Sequence, residues 1–65
     1  MTIDVTHTDI AQANLIKAKG DPISIAIKKA MPNVKEVNLP WKATDRLLNW
    51  IATSKMSPFS FEINV

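Results

Sequence analysis

Sixty-five residues, with no cysteine, one glycine, four prolines, 46% hydrophobic side chains and a formal charge of +2, leave room for one small domain, residues 1–65. The absence of cysteine excludes a disulfide scaffold, a thiolate zinc centre and a cysteine nucleophile. The uncharged run Leu47 to Ile51 is far below the roughly 20 apolar residues that span a bilayer, and the amino end lacks the basic-then-apolar layout of a secretion signal; the expectation is a cytoplasmic protein without membrane contact.

Ile3 and Val5 alternate with Thr2, Asp4 and Thr6, the period of a strand with one buried face, which predicts a first strand over about 2–6. Thr6 followed three places later by Asp9 is an N-cap pattern, so a first helix starts at about His7. Its apolar stripe is weak, and Lys17, Lys19 and Gly20 suit its carbonyl end. In DPISIAIKKAMP, Asp21 can cap and Pro22 is preorganised for the first helical position. A second helix is expected over about 22–31, with Ile23, Ala26 or Ile27, and Ala30 or Met31 on its buried stripe, and Pro32 closes it.

From Asn33 to Leu39 an imperfect alternation predicts a short strand. Pro40 and Trp41 then open a third helix, with Ala43 or Thr44, Leu47, Trp50 or Ile51, and Ser54 on one side. Phe59, Phe61, Ile63 and Val65 alternate without error with Ser60, Glu62 and Asn64, which predicts a closing strand. The order β-α-α-β-α-β describes a two-layer α+β domain, a three-stranded sheet with three short helices on one face. Strand order stays open: the last strand–helix–strand unit admits a parallel crossover, and the last strand also fits beside the first. The outer sheet face would carry Thr2, Asp4, Thr6, Ser60, Glu62 and Asn64, small and polar.

The side chains hold no constellation for catalysis or metal binding. His7 is the single histidine, and Asp4 facing Glu62 across adjacent strands is the nearest approach to an acid/base pair. No catalytic residue, metal ligand or cofactor is assigned, and the chain reads as a non-enzyme. Binding chemistry is better represented. Lys28 and Lys29 sit among lysines that can face an anion, and Arg46 adds a third cation. Trp41 and Trp50 lie nine apart on one helix and point in opposite directions, so one of them is free to anchor on a partner or to stack on a base. Lys28, Lys29, Trp41, Arg46 and Trp50 are therefore the candidate partner- or ligand-binding residues.

DPISIAIKKA and SPFSFEINV resemble a group of short, uncharacterised bacteriophage and prophage proteins that carry Cys-Pro or Asp-Pro before a short apolar helix and close on a Pro-Phe-x-Phe strand. The matching blocks, 21–30 and 58–65, are structural in character, and Asp21 stands where those proteins often have cysteine, so no thiol role carries over. The resemblance implies a phage accessory protein, working in the cytoplasm of the infected cell as a host-defence or host-takeover inhibitor. Such a factor acts by occupying a host protein or by sequestering a nucleotide-like anion. A chain this small buries only about 60% of its unfolded surface, which makes a homo-oligomer the expected state. The alternative is a small nucleic-acid-binding module using the basic helix ends, for which eight basic against six acidic residues is a thin electrostatic footprint.

Overall fold

The computed structural model describes residues 1–64 as an α+β unit. Its elements in chain order are β1 (Thr2–Val5), α1 (His7–Leu15), a 3₁₀ turn (Lys17–Lys19), α2 (Pro22–Ala30), α3 (Trp41–Thr53) and β2 (Phe59–Glu62). The first and last strands pair antiparallel, with Thr2 opposite Glu62, Ile3 opposite Phe61, Asp4 opposite Ser60 and Val5 opposite Phe59. A further pair continues the ladder beyond the strand ends, because Met1 and Ile63 exchange backbone hydrogen bonds of 2.9 and 3.0 Å. The expected strand residue Val65 lies outside the described residues.

Local chemistry explains where the helices start. Thr6 and Asp9 form a reciprocal capping box: the Asp9 N–H donates to Thr6 Oγ1 at 3.3 Å and the Thr6 N–H donates to Asp9 Oδ2 at 3.0 Å. Asp21 caps α2 through the Ser24 N–H at 2.8 Å and accepts the Ser24 hydroxyl at 2.7 Å, while Pro22 occupies the first turn. α1 stops at Leu15, so Lys17 and Lys19 belong to the separate 3₁₀ turn rather than to its last turn. Gly20 joins that turn to the Asp21 cap at φ 102° and ψ −167°, a backbone region essentially closed to residues with a Cβ.

The sheet has two strands, and the strand expected over 33–39 is absent. Val34, Val37 and Leu39 all pack against the core, and this spacing accounts for the difference. Residues three apart point to opposite faces of a strand, so burying both Val34 and Val37 requires the chain to leave the extended ladder. The segment starts instead with a turn, in which the Val34 N–H donates to the Met31 carbonyl at 3.2 Å, and it ends at Pro40, which has no N–H to offer a ladder. A cleft of about 400 Å³, lined by Glu36–Pro40 and Glu62–Asn64, separates it from β2. With no middle strand there is no parallel crossover.

One face of the sheet, carrying Ile3, Val5 and Phe61, closes over Ile10, Ile23, Ala26, Ile27, Ala43 and Ile63. The other face holds Thr2, Asp4, Ser60 and Glu62 in the open. The register sets each carboxylate against a hydroxyl rather than against the other carboxylate, which corrects the expected Asp4–Glu62 apposition. The Ser60 hydroxyl donates to Asp4 Oδ1 at 2.5 Å, and the Thr2 hydroxyl donates to Glu62. Like charges directly opposite would destabilise the ladder, whereas these pairs support it.

Among the described residues, three of the ten buried apolar side chains are alanines, so the interior is thin. α3, the longest helix, places only Ala43 fully inside. Its hold on the body is reinforced by a side-chain bond, as the Trp50 indole N–H donates to Asn14 Oδ1 at 2.8 Å. Replacing Trp50 with phenylalanine keeps most of the ring's packing and removes that bond; the expected cost is about 1 kcal/mol, read as a lower urea midpoint with an unchanged slope. No helix among the described residues is long and apolar enough to cross a membrane.

Candidate binding surface

α3 carries apolar side chains over far more of its circumference than the body covers. At about 100° per residue, Trp50, Ala43, Leu47, Ile51, Thr44, Leu48, Trp41 and Ala52 occupy a continuous arc of about 200°. Lys42, Asp45, Arg46, Asn49 and Thr53 fill the remainder. The fold uses one half of the arc, turning Ala43, Leu47 and Trp50 inward. The other half faces out: Trp41 is 80% exposed, Leu48 61% and Ile51 65%. Thr44 lies between them with its hydroxyl donating to the Pro40 carbonyl at 3.3 Å, so its polar atom already has a partner within the helix. The sequence alternatives for the buried side therefore resolve to Ala43 over Thr44 and Trp50 over Ile51.

The five candidate residues meet different surroundings. Lys29 Nζ lies 2.9 Å from Asp9 Oδ1 and completes the only ion pair among the described residues that reaches the interior, since the Asp9 side chain is 2% exposed. Asp9 is thus both the N-cap partner of α1 and the clamp between α1 and α2. Burial pushes its carboxyl up, but the Thr6 amide, the Lys29 ammonium and the Thr6 hydroxyl outweigh this and hold it below the ordinary value of 3.8. Charge reversal at Lys29 consequently attacks the fold as well as any partner contact.

Arg46 is also engaged. Its guanidinium carbon sits 4.6 Å from the centre of the Phe59 ring, and Nη1 donates to the Lys42 carbonyl at 3.2 Å. Phe59 stacks in turn on Phe61, with ring centres 5.7 Å apart. Trp50 is tied to Asn14, as described above. Lys28 stands at the rim of a cleft of about 270 Å³ between α2 and the 34–39 segment, whose walls include Ile23, Ile27, Val37 and Leu39. Within one chain, that cleft contains Lys28 alone of the five, and a second depression beside Asn49 and Met56 contains Arg46 alone. Trp41 and Lys28 are the two candidates whose side chains are exposed and make no intramolecular hydrogen bond, and of the two Trp41 is the large apolar one, 80% exposed.

Leu48 and Ile51 complete the exposed face with Trp41. Their signal was present in the spacing 41, 44, 48, 51, which is as helical as the buried stripe. Periodicity alone does not say which half of a wide arc the body will cover. His7 is exposed at the start of α1, and among the described residues no three histidine, cysteine, aspartate or glutamate side chains gather to hold a metal ion. No protein-family model matches this chain, and no curated protein and no solved structure matches it.

Proposed function

We propose that this chain is a non-enzymatic phage accessory protein, of the host-defence or host-takeover inhibitor class, that works through protein–protein contacts built on the outer face of α3. The observation that carries the reading is the exposed row of Trp41, Leu48 and Ile51 on a helix whose adjoining apolar half is already packed. Large apolar side chains in a contiguous row mark a contact surface rather than solvated surface, and tryptophan dominates binding hot spots. Protein contact is favoured over capture of a nucleotide-like anion because Lys29, Arg46 and Trp50 are already committed inside the chain. The phage context rests on the Asp-Pro helix start and the closing Pro-Phe-x-Phe strand.

The test compares the wild-type chain with Trp41→Asp, each immobilised and challenged with extract of a bacterial host. The bound proteins are identified by mass spectrometry and their affinities measured after purification. A host protein held by the wild type is expected to bind Trp41→Asp at least about 30-fold more weakly, the loss typical of a central hot spot. Because Trp41 is 80% exposed, the thermal midpoint should stay within a few degrees of the wild type. Equal affinity of the two forms for every captured protein overturns the assignment of the surface.

A further inference from the structure

Resting on the reading of the α3 outer face as a contact surface, we infer that its occupant is a second copy of this chain, packed with the two α3 helices antiparallel about a twofold axis opposite residue 46. The spacing of the exposed row is 3, 4, 3: Trp41, Thr44, Leu48, Ile51. That order is the same read from either end. A twofold axis perpendicular to the helix therefore lays the row on itself, with Trp41 opposite Ile51 of the copy and Thr44 opposite Leu48 of the copy. Self-complementarity of this kind is what an isologous interface requires. Each layer sets a larger side chain against a smaller one, the arrangement that interdigitates rather than collides.

Size and polarity agree with that occupant. The three large side chains offer on the order of 400 Å² of apolar surface, and with Thr44, Ala52 and the flanking stems the face approaches about 500 Å². A specific interface needs about 1,000 Å² in total, or about 500 Å² from each side, with an apolar centre. The Thr44 hydroxyl can be covered at little cost because it already donates to Pro40. Antiparallel α3 helices also bring opposite dipole ends together. The pairing supplies α3, which places only Ala43 fully inside the single chain, with a second packed side. The working unit is then the dimer: the two rows cover each other, and Trp41→Asp lowers partner capture by dispersing the pair rather than by removing a direct contact with that partner.

Light scattering coupled to gel filtration, run up to about 1 mM chain, measures the state directly. The expected mass is twice the chain's 7.2 kDa. Leu48→Asp should weaken the dimer by about 30-fold or more while circular dichroism stays that of the folded chain. Orientation is read by crosslinking, which the absence of native cysteine makes clean. Thr44→Cys chains mixed with Leu48→Cys chains should oxidise to a mixed covalent dimer, and Leu48→Cys alone should not. A 7.2 kDa species at the highest concentration overturns the dimer. Efficient self-crosslinking of Leu48→Cys with none in the mixture overturns the antiparallel register. A monomer whose Trp41→Asp form still loses its host partner leaves the proposed function standing without the dimer. A dimer dispersed by Leu48→Asp with partner capture intact does the reverse.

Discussion

Replacing Phe61 with alanine is expected to leave the chain largely unfolded at 25 °C. Phe61 is 4% exposed, lies opposite Ile3 in the only strand pair among the described residues, and stacks on Phe59. Truncating a buried phenylalanine costs about 3 to 5 kcal/mol, from the lost transfer of the ring and from the cavity it leaves. A single core in a domain of this size rarely supplies more than about 3 to 5 kcal/mol, so one substitution consumes the whole margin. The loss of β2 packing also frees Arg46, whose guanidinium rests on the Phe59 ring that Phe61 supports. Far-ultraviolet circular dichroism with a urea titration checks this: the wild type should give a cooperative transition and Phe61→Ala little or none. Phe61→Leu should keep the fold at a cost of about 1 to 1.5 kcal/mol. A folded Phe61→Ala with a transition close to the wild type would mean that β2 contributes little to the interior.

The second large effect is expected at Asp9. Its carboxylate satisfies the Thr6 amide, meets the Lys29 ammonium at 2.9 Å and is almost wholly buried. Asp9→Ala removes the acceptor of the capping box and a charge-assisted hydrogen bond together, an expected loss of about 2 to 3 kcal/mol. Asp9→Asn keeps an acceptor for Thr6 and gives up the charge, so it should lose about half as much. The pH dependence follows from the direction of the shift. The folded carboxyl ionises more readily than the unfolded one, so the unfolded chain binds more protons through the acid range and stability rises with pH there. The contribution of Asp9 is complete above the ordinary value of 3.8 and is lost as pH falls below that value and through the depressed folded one. Urea midpoints of wild type and Asp9→Asn should therefore differ near neutrality and converge in strong acid. Parallel curves over the whole range would show that Asp9 acts through shape rather than charge.

These two residues show how burial couples the fold to the contact surface. α1 and α2 are clamped by Asp9 and Lys29, while α3 is held by Ala43, Leu47 and the Trp50–Asn14 bond. The body thus spends its strongest polar contact on the first two helices. The third presents its outer row of Trp41, Leu48 and Ile51 from a comparatively lightly packed seat, and a partner that binds this row only in the folded chain adds to its stability.

Much of the architecture could be read from the chain because it follows from neighbours in sequence. The Thr6–Asp9 box, the Asp21–Pro22 start of α2 and the alternation in Ile3–Val5 and Phe59–Phe61 each depend on groups within a few residues of one another. Hydrogen-bonding reach and side-chain period then leave one local answer. The Trp41 to Ile51 row was equally present as spacing, but its exposure was not, since a helix with a wide apolar arc can turn either half inward. Tertiary structure alone decided that, and it decided three further things. It drew 34–39 out of strand geometry, because Val34 and Val37 both reach the core from positions that a flat ladder would send to opposite faces. It brought Lys29 to Asp9 across twenty residues, turning an apparent solvated lysine into the partner of a buried carboxylate. It set Asp4 against Ser60 and Glu62 against Thr2, a register that depends on how the first and last strands meet. Local periodicity specifies which side chains share a face; which face meets which is settled only when distant segments compete for the same limited interior.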